Sequence, residues 1–334
     1  DSGAAPAEPQ QEQREEVKPK ADPEQRLEQP EQPEAKPAQE EKEAQEKQEP
    51  APQPAQSEGQ PVVLNGEDET VIELTQSNIS NYMSSGLIGG SYQLGENVTI
   101  ESGSLEVKGT VTLDLNGRTV ELGDTALTVA ADGKLTVKDS DSAGGGALTT
   151  DGESTLQVSG GTLTLESGSI LNTRGGDGNS GGTAITTSYP SGGTVNIHGG
   201  TVRSENDFGV QINGAGTLKI AGGSVVSDSG TAVALQNDKM EKSAEISGGS
   251  ITGGTGGIFN WTTDSKNVTI SGGVITLSAD SPSPGKKFAV NAAWITGGTL
   301  RAKNEDCIVG DNVGGAELRP IEGTDAEGYY VLMA

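Results

Sequence analysis

One short phrase recurs through the second half of this chain and limits what it can fold into. Val158-Ser-Gly-Gly-Thr-Leu163 returns as Ile197-His-Gly-Gly-Thr-Val202, Ile220-Ala-Gly-Gly-Ser-Val225 and Ile246-Ser-Gly-Gly-Ser-Ile251, then as Ile270-Ser-Gly-Gly-Val-Ile275 and Ile295-Thr-Gly-Gly-Thr-Leu300. The leading residues lie 39, 23, 26, 24 and 25 positions apart. A period of this size marks a solenoid, a propeller or an array of small units.

Before each Gly-Gly stands an apolar–x–apolar triplet: Leu156-Gln-Val158, Val195-Asn-Ile197, Leu218-Lys-Ile220, Ala244-Glu-Ile246, Val268-Thr-Ile270 and Ala293-Trp-Ile295. Leu113-Asp-Leu115, Leu135-Thr-Val137 and Ala316-Glu-Leu318 extend the series. Alternation at period two predicts short strands with one buried face. The middle column (Asp114, Thr136, Gln157, Asn196, Lys219, Glu245, Thr269, Trp294, Glu317) is expected to face water, and Trp294 is its only aromatic member.

Two further strands follow in each period, for example Thr201–Ser204 and 209–212, with glycines at the bends. Glycine reaches positive φ at no steric cost, which suits tight corners. Three short strands per coil predict an all-β, right-handed, single-stranded parallel β-helix of about nine to ten coils. At the spacing of stacked strands it would be roughly 40–50 Å long. A propeller blade needs four strands in roughly 40 residues, and a leucine-rich repeat needs a leucine pattern this chain lacks. A stack has open ends that invite edge pairing. Val71–Leu74 followed by an amphipathic helix over 76–85, capped by Thr75 or Ser77, reads as the N-terminal cover, with Ile79, Tyr82 and Met83 inward.

Composition divides the chain. Residues 1–61 hold 11 of the 15 prolines, two of the 50 glycines and no aromatic residue. Such a segment buries too little apolar surface to offset chain entropy, so a disordered, acidic, Pro/Glu/Gln-rich linker or stalk is expected. The expected organisation continues with a cap over 62–95, the β-helix over 96–323, and a C-terminal strand or the start of a further domain over 324–334.

The remainder beyond residue 61 carries 32 acids against 15 bases, a net charge of −17. That excludes the basic footprint of a nucleic-acid binder and disfavours anionic membranes. No apolar run approaches the ~20 residues of a membrane span. One cysteine, Cys307, excludes an internal disulfide framework. A chain opening at Asp1, with a Thr-, Ser-, Asn- and Gly-rich body, fits a secreted or cell-surface protein that has lost a signal peptide or a flanking part.

Val111-Thr-Leu-Asp-Leu-Asn-Gly-Arg-Thr-Val120, standing before the repeated Ile-Ser-Gly-Gly-x-Ile units, resembles bacterial surface domains of the pectate-lyase-like, right-handed parallel β-helix type. The resemblance covers about residues 62–322. It implies an adhesive or carbohydrate-binding module on a large surface or secreted protein. Its partners would be a glycan or a host surface protein, alongside other domains of the larger protein. The same scaffold hosts polysaccharide lyases and glycoside hydrolases, and fold does not choose among these roles.

The residues themselves favour binding. Polygalacturonase-like enzymes of this fold carry an Asn-x-Asp, an Asp-Asp, a Gly-His-Gly and an Arg-x-Lys at successive coils, and none stands here. The single histidine, His198, reads as an ordinary exposed side chain, and Cys307 as a structural thiol in a column of small residues. Asp139 and Asp141, and Asp177 in a glycine-rich insertion of the 39-residue coil, are the candidate metal ligands, with calcium the only cofactor considered. Trp294, Trp261, Phe259, Asn291 and Gln211 are the candidate ligand-binding residues: flat rings pack on a sugar's C–H face while amides bond its hydroxyls. The alternative for the rings is burial under a loop such as 282–287 or against a neighbouring domain. The expected function is therefore a non-catalytic, adhesin-like module. A lyase or hydrolase and a structural spacer rod are the alternatives.

Overall fold

The computed structural model describes residues 61–62, 70–175, 181–236, 243–262, 264–279 and 287–334. The expectations for residues 1–60, for Asp177 and for most of the 282–287 loop lie outside the described residues. The described part is a parallel β-helix of about nine turns.

Each turn contributes one strand to each of three parallel sheets. The first sheet stacks 111–114, Lys134–Lys138, Thr162–Leu165, Thr194–Ile197, Thr217–Ile220, Ala244–Ile246, 268–270 and 294–295. The second stacks Thr119–Glu121, Ala147–Thr150, Ser169–Asn172, Thr201–Ser204, Ser224–Ser227, Ser250–Gly253, 274–277 and 299–302. The third stacks 105–107, Leu127–Val129, Ser154–Val158, Thr183–Thr187, Val210–Asn213, Thr231–Gln236, Gly256–Asn260 and Val290–Asn291.

Alternation does what the sequence predicts: Val137, Leu165, Ile197, Ile220, Ile246, Ile270 and Ile295 form one continuous inward ladder, each at most 1% exposed. Each rung lies about 4.8 Å from the next, so one coil's inner face is covered by its neighbours and the core is contiguous. The core is aliphatic. Among the described residues no phenylalanine or tryptophan is in it, and Tyr82 and Tyr92 are its only aromatic side chains.

Three expectations need correction. The triplet Leu156-Gln-Val158 is not the counterpart of Val195-Asn-Ile197. It pairs with Leu127–Val129 and with 185–187 in the third sheet, while Leu163-Thr-Leu165 pairs with Val195–Ile197 in the first. Gly160-Gly161 therefore turns a different corner from Gly199-Gly200. The 39-residue coil dissolves with it, since Leu165 and Ile197 are the true equivalents, 32 residues apart. Likewise Gly314 and Gly315, not Ala316–Leu318, stack on Trp294 and Ile295.

Asp114 does not face water. It is 6% exposed, and the amides of Asn116 and Ser140 both donate to its Oδ1 at 3.0 Å. The connection after Lys138 covers it, which alternation along a strand does not reveal.

The helix α1 (Ile79–Ser85) is shorter than predicted, and Asn78 rather than Thr75 or Ser77 stands at its N-cap. Asn78 Oδ1 accepts from the Thr75 amide at 2.9 Å and Nδ2 donates to the Glu73 carbonyl at 2.8 Å, bracing the turn instead of the helix. Ile79 and Tyr82 are buried as expected, with Met83 partly buried against the core. Val71–Leu74 is itself a rung of the first sheet, parallel to 91–94, so the solenoid already begins within the segment assigned to the cap. At the other end Tyr330–Met333 runs antiparallel to 299–302 and to Arg319–Pro320, which turns the parallel edge into a hairpin.

Candidate ligand-binding face

The third sheet gathers four of the five candidate residues. Its outward central column reads Thr186, Gln211, Ala234, Phe259, Asn291 in consecutive coils. Three positions earlier, at the first residue of the strand or in the connection leading into it, the aligned residues are Phe208, Thr231, Gly256 and Phe288. Phe259 thus lies on this sheet, and Phe208 and Phe288 in the connections just before its strands; all three rings are partly exposed. Trp261 follows the strand Gly256–Asn260 and is 49% exposed.

The rings touch. Trp261 meets Phe259 at a centroid distance of 4.6 Å and an interplanar angle of 62°. It meets Phe208, two coils away, edge-on at 6.1 Å and 89°. Trp261 therefore reaches back across the coil of Ala234, whose small side chain leaves room. Phe288 and Asn291 cover Gly310 of the next coil: a Cβ built there would lie 2.6 Å from the Phe288 ring and 2.8 Å from Asn291 Oδ1.

The scaffold fixes Trp261 through its neighbour. Asn260 points inward and is 1% exposed. Its Nδ2 donates to the carbonyls of Asp264 and Ala292, both at 3.0 Å, and its Oδ1 accepts from the Thr262 amide at 3.1 Å and hydroxyl at 2.8 Å. All four capacities of the amide are used, and they tie the turn after Trp261 to the following coil. The Trp261 amide itself donates to the Leu235 carbonyl at 3.0 Å.

Polar groups alternate with the rings. The Thr186 hydroxyl donates to Gln211 Oε1 at 3.3 Å, and Asn213 Nδ2 donates to Thr186 Oγ1 at 3.2 Å. Asn291 Oδ1 is buried and accepts no hydrogen bond among the described residues, an uncompensated desolvation that native proteins rarely tolerate away from function. Charged side chains enter at the margins, as Asp207 beside Phe208 and Lys287 beside Phe288. Burial pushes the Asp207 carboxyl above its ordinary value, against a lowering hydrogen bond from Thr183.

Trp294 is placed elsewhere. It stands on the outward column of the first sheet, 41% exposed, between Thr269 and Gly314. Its ring lies over Gly314, where a Cβ would come within 3.0 Å. The five candidate residues therefore do not share a face: Gln211, Phe259, Trp261 and Asn291 belong together, and Trp294 is separate.

Sequence reading missed Phe208 and Phe288. The signal was present, since each directly precedes a member of the small-residue column Gly209, Ala232, Gly257, Ala289.

The candidate metal residues are occupied by backbone amides. Asp139 accepts from Gly117 at 2.7 Å and Asp141 at 3.3 Å through Oδ1, and from Gly146 at 2.8 Å through Oδ2. Asp141 accepts from Ala143 at 3.0 Å. These bonds brace the connection from 139 to 146. Among the described residues no three His, Cys, Asp or Glu side chains are grouped to hold a metal ion. His198 is exposed, and Cys307 is fully buried with its thiol pushed up by burial. Among the described residues no helix is long and apolar enough to cross a membrane. In comparisons with known proteins the chain matches no family model, no curated protein and no solved structure.

Proposed function

We propose that this chain is a non-catalytic, adhesin-like binding module, secreted or carried on a bacterial cell surface, that holds a glycan on the outer face of the third sheet. One observation carries the reading: the chain's three phenylalanines and one of its two tryptophans stand outside an aliphatic core, on or at the ends of the strands of one sheet, beside Gln211 and Asn291. Rings that do not build the core are available for a ligand. A partly exposed ring offers a flat apolar surface, and amides and hydroxyls supply the few polar contacts that orient a bound molecule.

The lining of this face favours holding over cleaving. Glycoside hydrolysis uses two carboxylates flanking the bond, and the central column here offers two amides, a hydroxyl and one ring. The resemblance of Val111–Val120 and the repeats to pectate-lyase-like surface domains supports a bacterial, exported setting, and the Pro/Glu/Gln-rich residues 1–61 suit a stalk that projects the module.

The test is a glycan array probed with the full chain, Trp261→Ala and Trp294→Ala. Binding that disappears with Trp261→Ala and persists with Trp294→Ala is the expected result. Release of reducing ends or unsaturated uronates from any polysaccharide on incubation would overturn the non-catalytic reading.

A further inference from the structure

The three sheets differ in how charge is distributed over their outer faces. The first sheet presents Lys134, Lys219 and Glu245 on its outward columns, and the second presents Glu121, Arg203 and Arg301. On the third sheet, the outward column Thr186, Gln211, Ala234, Phe259 and Asn291, and the four residues three positions before it (Phe208, Thr231, Gly256 and Phe288), carry no charge, with Asp207 and Lys287 at the margins. Among the described residues, charges reappear towards the N-terminal coils of this sheet at Glu106 and, just past the strand segment, Lys108. The aromatic face is thus the neutral window of a strongly acidic chain, whose formal net charge is −26.

We infer that this face binds an uncharged oligosaccharide laid along the stacking direction, across the coils that carry Phe208, Trp261 and Phe288. The inference rests on the glycan reading above and narrows it to a chemical class, a direction and a length.

The class follows from charge. A polyanionic glycan such as a uronan or a sulfated galactan would approach a repulsive field. On arrival it would find no arginine or lysine among those nine positions to take its carboxylates or sulfates in the bidentate or charge-assisted bonds such groups need. Desolvating a carboxylate over rings without a partner is costly. A neutral sugar needs none of this: its C–H faces lie on rings, and its hydroxyls bond the part-exposed side-chain amides of Gln211 and Asn291.

Direction and length follow from register. Phe208, Thr231, Gly256 and Phe288 occupy the same position in four consecutive coils, so the two terminal rings stand three rungs apart, about 14 Å along the stack. Trp261 bridges part of that distance by touching both Phe208 and Phe259. The residues between the rings (Thr231, Ala234 and Gly256) are small and buried, so no bulky side chain of theirs stands between Phe208 and Phe288. A monosaccharide would cover one ring cluster and leave Phe288 unused.

The experiment is calorimetric titration of the full chain with ladders of one to six units from neutral glucans, mannans, galactans and xylans. Oligogalacturonates and sulfated galactan oligosaccharides of equal length are run beside them, at low and near-physiological salt. At least one neutral ladder should gain about tenfold or more in affinity between the monosaccharide and the tetramer, with little salt dependence. Phe288→Ala should remove most of that gain, lowering tetramer affinity far more than monosaccharide affinity. The ring lies outside the core, so circular dichroism should report an unaltered fold. Anionic oligomers that bind as tightly as neutral ones, or a tetramer no better than its monosaccharide, would overturn the inference while leaving the glycan face standing if Trp261→Ala still abolishes binding. Failure of every neutral and anionic sugar to bind would sink the parent reading and the inference together.

Discussion

Replacing Asn260 by alanine removes four hydrogen bonds from one buried position and should be the most informative single change to the scaffold. The side chain donates to the Asp264 and Ala292 carbonyls and accepts from the Thr262 amide and hydroxyl, while being 1% exposed. Ala292 holds φ at +52°, an uncommon conformation for a residue with a side chain, and its carbonyl is aimed at the Asn260 amide. Alanine at 260 leaves that carbonyl buried without its partner. At about 1 kcal/mol net for each bond, with a larger penalty for stranded groups, the loss comes to about 3–4 kcal/mol. In a chain this size a kilocalorie moves the melting midpoint by about 2–4 °C, so scanning calorimetry of the full chain should show a fall of about 10 °C. Since each coil leans only on its neighbours, hydrogen exchange should rise first at 256–267 and 289–293 and least at 105–129. Asn260→Asp keeps the acceptors for Thr262 but points a carboxylate at two carbonyls, so it should be worse than alanine at neutral pH. Trp261 should lose its fixed position in both variants, and glycan affinity should fall even where the protein is still folded. A midpoint for Asn260→Ala within about 2 °C of the parent would refute the reasoning.

Three further outcomes are expected. Burial raises the Asp114 carboxyl, but hydrogen bonds from Ser140 and Asn116 and the Lys138 charge outweigh it and hold it below its ordinary value. Its stabilising contribution is therefore present above that ordinary range and is lost as pH falls through the folded value; Asp114→Asn should melt earlier than the parent at pH 7, with the gap closing as pH falls below the ordinary carboxylate range. Gly223 sits at φ +72° and a Cβ there would lie 2.7 Å from the Gly199 carbonyl and 2.8 Å from the Gly200 oxygen, so Gly223→Ala should cost about 2 kcal/mol or more in a melt, while Gly175→Ala, with nothing within 4 Å, should be silent. Arg301 bridges Asp325 at 2.8 Å and Glu327 at 2.6 Å and lies 4.5 Å from the Tyr329 ring centre; Arg301→Ala should speed amide exchange across 319–333 and leave the central coils unchanged, and equal exchange in both proteins would count against the staple.

The period and the inward alternation were legible because both are enforced at every rung: a polar side chain at Ile220 or Ile246 would sit in a dry interior. Sheet membership was not legible. Gly160-Gly161 and Gly199-Gly200 look alike because both corners need backbone to approach backbone closely, a requirement that leaves no mark of which corner it serves. For the same reason Leu156–Val158 and Val195–Ile197 read as equivalents while belonging to different sheets. Phe259, Asn291 and Gln211 were correctly set in one column, since alignment of the third strand depends only on the small residue before it. Trp294 could not be excluded from that company by pattern alone, because outward positions of all three sheets alternate with the same period. Asp114 escaped because its cover comes from a connection, whose path alternation does not encode.

The connections between sheets are unequal in freedom. From Leu165 to Thr299, six consecutive coils pass from the first sheet to the second through three residues each. Passage from the second sheet to the third varies from two residues (254–255) to twelve (278–289), and from the third to the first it varies from two (292–293) to seven (237–243). Within these six coils every length change therefore falls on the two borders of the third sheet. Insertions there leave the inward ladders and the glycine corner untouched, so the rim around one face can be rewritten coil by coil at little thermodynamic risk. Descendants of such a chain would diversify what they hold by editing those borders, much as a fixed frame accepts interchangeable edges, while the frame itself stays recognisable.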